Sequence, residues 1–413
     1  MTQLFQLRCP QCLRYFGNGP LTICEDCFSP LEMSYDLSSI GRLLSRAEIE
    51  SRPQNIWRYA ELLPVAAEHR SGLPVGFTPL LEAPKLAHRL GAQRLHLKND
   101  SVCFPTLSFK DRVVAVALSQ AKAFGFDVVG CASTGNLANA VAAQAARLGL
   151  EAWIFVPSNL EPAKLLATAV YGAHLVRVDG TYDQVNRLCA EIAEDRHWGF
   201  VNVNLRAYYA EGSKTVAYEI AEQLGWRLPD NVVVPMAGGA QITRIAKGFS
   251  ELVELGLVPE RPVRIFGAQA AGCSPITTAA QLGVLEIMPQ RPATICHSLA
   301  IGNPADGYGA LQVIAASHGF AEDATDQEII AGIRQLAEEE GIFGETAAGV
   351  TVAAAGKLIR DGRIKGDETT VLCITGNGLK TTDALVSDLV FAPPVAPKLA
   401  AFEASLERQP VLA

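Results

Sequence analysis

Ser108-Phe109-Lys110-Asp111-Arg112 opens the part of the chain in which the sequence pattern becomes regular. Lys110 lies at a boundary between a loop and a helix, because Ser108 is a suitable helix cap and an apolar stripe begins at 113–116. On its own the pentapeptide is a weak signal, since a surface lysine between capping residues gives the same pattern. Its meaning depends on the segments that follow it.

After this stretch, short apolar strands alternate with amphipathic helices. The first series predicts helices at 113–124, 136–148, 161–171 and 182–195, and strands at 127–131, 152–156 and 175–178, and it is followed by a strand-like segment at 200–204. The second series predicts helices at 211–224, 242–255 and 346–358, and strands at 231–235, 263–269 and 370–375. Such alternation is typical of βαβ units, so we expect an α/β protein with twisted, mostly parallel sheets.

Three turns made largely of small residues follow predicted strands. They are Ala132-Ser133-Thr134-Gly135-Asn136, Ala237-Gly238-Gly239-Ala240-Gln241 and Thr375-Gly376-Asn377-Gly378. In open parallel sheets, ligands bind beyond the carboxyl ends of the strands, at turns of this kind. The second turn opens a helix, so its free N–H groups and the helix dipole favour a phosphate. A tight strand-to-helix turn without a ligand is the alternative that this pattern leaves open.

A lysine together with a phosphate-binding turn indicates a particular cofactor chemistry. A lysine amine becomes a covalent catalyst when it meets an anionic partner that carries a carbonyl group. Pyridoxal phosphate is such a partner, and proteins hold it as a Schiff base of a lysine. The amine must be neutral to react, which requires burial or a nearby positive charge. The sequence therefore predicts that Lys110 carries pyridoxal phosphate.

The composition excludes several classes of protein. With 413 residues, the chain is long enough for two domains and an additional module. Apolar residues make up 49% and charged residues 19%, as in globular enzymes, and a net charge of −8 argues against nucleic-acid binding. No apolar stretch reaches the roughly 18 residues of a membrane span, and the N-terminus lacks the features of a secretory signal. We expect a cytoplasmic protein that binds neither nucleic acid nor membrane.

Four of the ten cysteines form two Cys-x-x-Cys pairs near the start of the chain. Cys9 and Cys12 are separated from Cys24 and Cys27 by 11 residues, a spacing that lets four thiolates close a tetrahedral zinc site. We expect a structural zinc ribbon, while a redox pair and a ribbon without metal remain alternatives. Four sulfur ligands leave no open coordination position, which argues against catalytic zinc.

These patterns divide the chain into three parts. Residues 1–35 form the zinc ribbon, 36–390 the catalytic region, and 391–413 a proline-rich linker and tail. Within the catalytic region, we expect a smaller domain at roughly 110–210 and a larger domain built from the flanking segments. The sequence leaves the assembly open, with a homodimer as the candidate.

Taken together, the motifs resemble those of the threonine synthase family, which are fold-type II pyridoxal-phosphate enzymes of the tryptophan synthase β superfamily. The resemblance extends from the cysteine ribbon to about residue 385. Its markers are Pro105-Thr106-Leu107-Ser108-Phe109-Lys110-Asp111-Arg112, Ala132-Ser133-Thr134-Gly135-Asn136, Ala300-Ile301-Gly302-Asn303-Pro304, Gly341-Ile342-Phe343-Gly344-Glu345 and Thr375-Gly376-Asn377-Gly378-Leu379-Lys380. Jointly these markers are highly specific for the superfamily and fairly specific for its threonine synthase-like members.

The resemblance implies a set of cofactor ligands. Lys110 would hold the cofactor covalently and move protons, with Phe109 packed beside the cofactor ring. Asn136 would bind the phenolic oxygen of the cofactor, and Thr375 would bind its pyridine nitrogen. The cofactor phosphate would be held by the backbone of Ala237, Gly238, Gly239, Ala240 and Gln241.

The resemblance also implies the reaction, in which O-phospho-L-homoserine and water become L-threonine and phosphate. Lys110 would take the α-proton, phosphate would leave from Cγ, and water would add at Cβ. The phosphate of this small-molecule substrate needs a pocket of its own. The candidates for that pocket are Lys98, Thr134, Asn204 and Arg206.

Other functions remain as alternatives. A cysteate synthase-like enzyme would act on phosphoserine, which is one methylene shorter, and the sequence does not resolve that difference. A serine or threonine dehydratase needs no pocket for a substrate phosphate, so Lys98 and Arg206 argue against it. Intact Lys110, Asn136 and Thr375 argue against a non-catalytic binding protein. A dinucleotide-binding dehydrogenase is excluded because the chain lacks a G-x-G-x-x-G turn with the acidic residue that should follow it.

Overall fold

The computed structural model describes residues 4–133, 135–158, 162–180, 182–386, 388–389 and 391–406. The strands are β1 (Phe5–Arg8), β2 (Tyr15–Phe16), β3 (Glu32–Tyr35), β4 (Leu80–Glu82), β5 (Arg94–Asn99), β6 (Val128–Ala132), β7 (Glu151–Pro157), β8 (His174–Val178), β9 (Gly199–Phe200), β10 (Asn231–Pro235), β11 (Arg264–Ala270), β12 (Ala321–Ala324) and β13 (Thr369–Ile374). The helices are α1 (Leu37–Gly41), α2 (Arg46–Ser51), α3 (Pro84–Leu90), α4 (Lys110–Ala123), α5 (Asn136–Leu148), α6 (Pro162–Ala169), α7 (Tyr182–Asp195), α8 (Arg206–Glu211), α9 (Lys214–Gln223), α10 (Ala240–Glu254), α11 (Pro275–Leu282), α12 (Gly307–Ala316), α13 (Asp326–Glu340), α14 (Thr346–Arg360) and α15 (Leu399–Leu406).

Within the described ranges, these strands form three sheets. The largest has the order β12-β11-β10-β13-β5-β4, and its strands run parallel except for β4 at the edge. The second has the order β8-β7-β6-β9 and is parallel throughout. The third, β2-β1-β3, is antiparallel and contains the N-terminal segment. The predicted α/β class with mostly parallel sheets is confirmed.

Strand β10 shows why the largest sheet lies inside the protein. All of its residues, Asn231–Pro235, are buried, as a strand covered on both faces requires. Because side chains alternate between the two faces of a sheet, Val232 and Val234 enter one core with α10, whereas Val233 enters another core with α14. Each face of this sheet therefore carries a helical layer.

Two predicted elements differ from the observed ones. The helix predicted at 211–224 corresponds to α9 and begins three residues later than predicted, while 206–211 forms a separate helix, α8, with Gly212 between the two. A Cβ at Gly212 would lie 2.5 Å from the Arg112 carbonyl oxygen, so glycine lets the break pack directly against α4. The strand-like segment 200–204 contributes only one residue to β9, because 201–205 turns toward α8.

The division of the chain into ribbon, two domains and tail stays a prediction. All strands of the four-stranded sheet come from the segment 110–210 that was expected to form the smaller domain. After the catalytic region, α15 has no buried residue. In the part of the chain that the structure describes, no helix combines the length and apolar character needed to cross a membrane.

A buried ionic cluster joins the start of α4 to the segments around it. Arg112 donates through Nε and Nη2 to the two carboxylate oxygens of Asp100, each at 2.8 Å. The same guanidinium binds Glu219 of α9, which also pairs with Lys98 Nζ at 2.6 Å. Two cations and two carboxylates thus compensate each other inside the protein, where an unpaired charge would be strongly unfavourable. The cluster ties the first turn of α4 to β5 and α9.

We expect Glu219→Gln to lower the free energy of unfolding by about 3–5 kcal/mol, because it leaves two buried cations with one carboxylate. Urea denaturation measures this change. The control is Glu338→Gln, in an exposed pair with Arg334, which should cost less than about 1 kcal/mol. Equal losses in the two variants would contradict a central role for the cluster.

The same variant should change how stability depends on pH. Burial raises the pKa of Glu219, but the charges of Arg112 and Lys98 outweigh burial and hold it at about 2. A carboxylate with a lowered pKa contributes stability above its ordinary value of 4.5, and that contribution is lost as pH falls from 4.5 to about 2. Glu219→Gln should therefore lose less stability than the unchanged protein over this pH range.

Candidate functional site

Three segments meet at the carboxyl edge of the largest sheet, where β13 ends. The backbone N–H of Phe109 donates to the Thr375 carbonyl oxygen at 2.8 Å. The backbone N–H of Glu345 donates to the Gly376 carbonyl oxygen at 2.9 Å. These bonds place Lys110, the first residue of α4, beside the residues that follow β13 and precede α14.

Lys110 lies half-buried between two aromatic rings. Its Nζ donates a hydrogen bond to Tyr209 Oη at 3.0 Å. The ring centroids of Phe109 and Tyr209 lie 5.3 and 5.6 Å from the same nitrogen. Phe109 is buried in the main core, so it fixes the position from which the lysine side chain extends. The amine therefore lies at the edge of the core beside a phenol.

Glu345 links the two parallel sheets across this site. Its Oε2 accepts from Asn136 Nδ2 at 2.8 Å, and its Oε1 accepts from Thr375 Oγ1 at 3.1 Å. Asn136 begins α5, which follows β6 of the four-stranded sheet, whereas Thr375 follows β13 of the largest sheet. Burial raises the pKa of Glu345, while these two hydrogen bonds and the charge of Lys380 oppose the shift. One carboxylate thus orients two of the predicted cofactor ligands.

The turn at 237–241 has the shape of an anion-binding site. Gly239 has a φ of 94°, which favours glycine, and a Cβ there would lie 2.7 Å from the Asp306 carbonyl oxygen. At Gly238 a Cβ would meet no described atom within 4 Å. Helix α10 begins at Ala240 and is 15 residues long, so its dipole and free N–H groups are directed at this space.

A cavity of about 100 Å³ is lined by residues from this turn and from α8. Its lining includes Ala240, Tyr209 and Arg206. Arg206 and Tyr209 are three residues apart on α8, so both side chains lie on the same side of the helix. Arg206 Nη2 donates to Asp306 Oδ1 at 2.7 Å. The cavity therefore brings together a cation, a phenol and the anion-binding turn.

Lys98, a predicted substrate ligand, is fully engaged elsewhere. Its Nζ binds the Thr78 carbonyl oxygen at 2.7 Å, Gln223 Oε1 at 2.8 Å and Glu219 Oε2 at 2.6 Å. An ammonium has three N–H donors, so none remains for a substrate. Lys98 therefore belongs to the buried cluster, and its assignment to the substrate phosphate stays a prediction that these contacts do not support.

The other predicted substrate ligands have different positions. Asn204 closes the turn before α8, because its Oδ1 accepts from the Phe200 N–H at 2.7 Å and its Nδ2 donates to the Trp198 carbonyl oxygen at 2.9 Å. A substrate contact of Asn204 stays a prediction. Thr134 lies outside the described residues. Arg206 is the candidate that the structure places in the cavity.

Three residues at the site were not among the predicted ligands. Glu345 and Lys380 end two of the motifs that carried the resemblance, so a signal for both was present in the sequence. Lys380 Nζ is buried without a hydrogen-bond partner among the described residues. Burial lowers the pKa of Lys380, and the charge of Asp111 opposes this. Tyr209 had no such signal, because it lies outside the quoted motifs and two residues before the helix predicted at 211–224.

The four predicted zinc ligands lie together beside the antiparallel sheet. The sulfur atoms of Cys9, Cys12, Cys24 and Cys27 are all within 4.8 Å of one another. Four sulfur ligands at about 2.3 Å from a zinc ion are separated from each other by about 3.8 Å. The observed set, with sulfur distances of 3.3 Å (Cys9 to Cys27) and 3.6 Å (Cys12 to Cys24), fits a closed structural zinc site.

Comparison with known proteins identifies the family. A family model described as "Pyridoxal-phosphate dependent enzyme" matches residues 72–376, about three quarters of the chain. The chain belongs to the pyridoxal-phosphate dependent enzyme family. The matched range includes Lys110, the turn at 237–241 and Thr375, and it leaves out the cysteine ribbon. The fold-type II family predicted from the sequence is therefore confirmed.

Curated relatives of this pyridoxal-phosphate dependent enzyme are similar along almost the whole chain. The threonine synthase of Methanocaldococcus jannaschii is 37% identical over 382 residues, which are 92% of this chain and 94% of the relative. The threonine synthase of Methanosarcina acetivorans is 34% identical over 386 residues, or 93% and 94% of the two chains. That of Mycobacterium tuberculosis strain H37Rv is 35% identical over 80% of this chain and 92% of its own.

Solved structures share the fold at lower identity. Threonine deaminase isoform 2 from Solanum lycopersicum superposes with a TM-score of 0.63 and 21% identity, covering 81% of this chain and 94% of that chain. Holo diaminopropionate ammonia lyase from Escherichia coli has a TM-score of 0.65 and 18% identity, covering 83% and 91%. At these identities the likeness concerns the fold alone.

The residues at the site fit the cofactor of this pyridoxal-phosphate dependent enzyme. Lys110 supplies an amine, the helix start at Ala240 supplies N–H donors for a phosphate, and Asn136 and Thr375 supply an amide and a hydroxyl. Ser108 Oγ is buried without a partner among the described residues, which leaves a further polar atom for a ligand. When bound, pyridoxal phosphate withdraws electrons from the substrate, which makes the bond between the α carbon and its hydrogen easier to break.

We expect Glu345→Gln to weaken cofactor binding. A glutamine has one acceptor oxygen instead of two, so it keeps one of the bonds to Asn136 and Thr375. A hydrogen bond to a charged group is worth about 1.5–3 kcal/mol, so the dissociation constant for pyridoxal phosphate should rise at least about tenfold. Absorption titration measures it, with the exposed Glu260→Gln as the control. An unchanged constant would contradict the orienting role of Glu345.

Proposed function

We propose that the protein is a threonine synthase, which converts O-phospho-L-homoserine and water into L-threonine and phosphate. The observation that carries this proposal is the cavity in which Arg206 lies beside Tyr209, the residue bonded to Lys110. The turn at 237–241 suits the phosphate of the cofactor. An additional arginine in the same cavity suits a substrate that carries a phosphate of its own. Threonine synthases at 34–37% identity over more than nine tenths of the chain support it.

In this proposal the cofactor ligands follow the contacts at the site. Asn136 binds the phenolic oxygen of the cofactor and Thr375 its ring nitrogen, with Glu345 fixing both side chains. Phe109 packs beside the ring. The backbone of Ala237, Gly238, Gly239, Ala240 and Gln241 holds the phosphate. A hydroxyl on the ring nitrogen does not enforce ring protonation as a carboxylate would, which suits elimination and replacement more than transamination.

The proton transfers belong to Lys110. Its amine takes the proton from the substrate α carbon and then moves protons between the substrate carbons, away from Cβ as phosphate leaves Cγ and onto Cγ before water adds at Cβ. Arg206 binds the substrate phosphate, for which it must exchange its contact with Asp306 for a contact with the ligand.

We further propose that the protein works in the cytoplasm on this small-molecule substrate. The net charge of −8 disfavours nucleic acid as a partner. A homodimer remains the candidate assembly.

The decisive measurement follows phosphate and threonine after O-phospho-L-homoserine is added to the purified, cofactor-loaded protein. We expect equal amounts of the two products, and we expect Lys110→Ala to lose both by a factor of at least about 1000, because the covalent amine and base are gone. O-Phospho-L-serine and L-threonine serve as comparison substrates. Turnover of one of these but not of phosphohomoserine would assign the protein to a sister enzyme.

A further inference from the structure

We propose that Tyr209 is a second catalytic residue, which supplies a proton to the leaving phosphate and regains it from Lys110. This inference rests on the proposed function. Tyr209 Oη accepts a hydrogen bond from Lys110 Nζ at 3.0 Å, within the range in which a proton passes directly between two groups. Tyr209 also lines the cavity that Arg206 lines. Tyr209 therefore contacts the proposed base and borders the proposed binding site of the substrate phosphate.

The chemistry requires a proton to travel in that direction. After the α-proton that Lys110 removes has been returned to carbon, the Lys110 amine takes a proton from Cβ, so a C–H bond breaks and an N–H bond forms. The electron pair of that C–H bond forms the second bond between Cβ and Cγ, and the electron pair of the breaking Cγ–O bond leaves with the phosphate, which takes the proton of the Tyr209 hydroxyl. The resulting phenolate then takes a proton from the Lys110 ammonium across the 3.0 Å bond. The net result is transfer of one proton from carbon to phosphate, with no change in oxidation state.

Alternative donors are less well placed among the described residues. Glu345 is engaged with Asn136 and Thr375 through its two carboxylate oxygens. Arg206 is engaged with Asp306 and is the proposed ligand of the substrate phosphate. Tyr209 is the group that contacts the lysine amine and also lines the cavity.

Tyr209→Phe distinguishes the removal of the α-proton by Lys110 from the transfer of a proton to the leaving phosphate. We expect it to slow phosphate release from O-phospho-L-homoserine by about 100-fold, in the range of a general acid. Exchange of the substrate α-hydrogen in deuterated water, followed by NMR, should stay within about threefold of the unchanged enzyme, because Lys110 still performs it. KM should change little. The exposed Tyr171→Phe is the control and should alter neither rate.

The outcomes distinguish this proposal from the proposed function. Unimpaired phosphate release by Tyr209→Phe would reject the catalytic role of the phenol. Equal losses in α-hydrogen exchange and phosphate release would also reject it, because they would show that the tyrosine only shapes the site. If the unchanged enzyme releases no phosphate from O-phospho-L-homoserine, the proposed function fails and this proposal fails with it.

A separate set of contacts joins α8 to the cysteine ribbon. We infer that the cysteine ribbon positions this helix, and therefore the cavity, so that the ribbon tunes substrate binding. Tyr208, next to Tyr209, accepts from the Gly19 N–H at 3.1 Å and donates to the Gly19 carbonyl oxygen at 3.0 Å. Thr22 Oγ1 donates to the Val203 carbonyl oxygen at 2.9 Å, just before α8.

The contact between ribbon and helix also includes apolar and ionic parts. Tyr208 is fully buried in one apolar cluster with the metal-site residues Cys9 and Cys24. On β3, Glu32 pairs with Arg244 at 3.2 Å, and Arg244 lines the same cavity as Arg206. Leu31, also from the ribbon, contributes directly to that lining. The ribbon is thus part of the wall that holds the proposed substrate site.

Tyr208→Phe tests this inference, because it removes only the oxygen that binds Gly19. In the cofactor-loaded enzyme we expect KM for O-phospho-L-homoserine to rise at least about fivefold, because both hydrogen bonds to Gly19 are lost, while kcat, zinc content and cofactor content stay unchanged. Backbone amides of 205–212 should exchange hydrogen faster. Arg14→Gln is the matched control, since it breaks an exposed pair with Asp26 inside the ribbon and should change none of these quantities.

Metal removal gives the second test. Treating the loaded enzyme with a zinc chelator should raise KM and speed hydrogen exchange in 205–212, while the cofactor absorption band is retained. Unchanged KM and unchanged exchange, after either Tyr208→Phe or zinc removal, would reject the positioning role. A lower kcat at unchanged KM would reject it as well, since the ribbon would then act on chemistry and not on binding.

Discussion

The buried salt-bridge cluster around Arg112 is the interaction on which the active region depends. Arg112 lies two residues after Lys110, and the cluster holds that first turn of α4 against β5 and α9. A lysine side chain has several rotatable bonds, so its amine can be placed only if its backbone is fixed. Here two interactions fix the backbone. One is the set of ion pairs of Arg112, and the other is the hydrogen bond from the Phe109 N–H to the Thr375 carbonyl oxygen. The pentapeptide 108–112 therefore contains both Lys110, the proposed reactive residue, and Arg112, which fixes the backbone next to it.

The site is assembled from two sheets that have no strand in common. Glu345 spans them through Asn136 on one side and Thr375 on the other. The buried Glu345 carboxylate accepts two hydrogen bonds. If the sheets moved apart it would lose these partners, and a buried carboxylate without partners is unfavourable. The relative position of the two sheets is thus coupled to the polar contacts of Glu345. The proposed active site therefore also connects the two sheets.

Much of this could be predicted from the sequence because the signals were local. The periodicity located β10, α5 and α7, and the small-residue turns marked the sheet edge where the ligand-binding groups converge. What could not be predicted depends on long-range pairing. Lys98 looked like a free cation because its partner Glu219 lies 121 positions away in the chain. The contact of Tyr209 with Lys110 could not be predicted, because it joins residues 99 positions apart and leaves no local pattern.

Asp306 connects the two anion sites of the protein in a way that has a thermodynamic consequence. Its backbone N–H donates to the Gly238 carbonyl oxygen at 2.8 Å, and its carboxylate holds Arg206 at 2.7 Å. The loop that carries Asp306 therefore contacts both the turn at 237–241 and Arg206. By linkage, any factor by which occupation of the turn changes affinity at Arg206 must equal the factor by which occupation of Arg206 changes affinity at the turn. Under the proposed function, Asp306 thus links the turn proposed for the cofactor phosphate to the arginine proposed for the substrate phosphate.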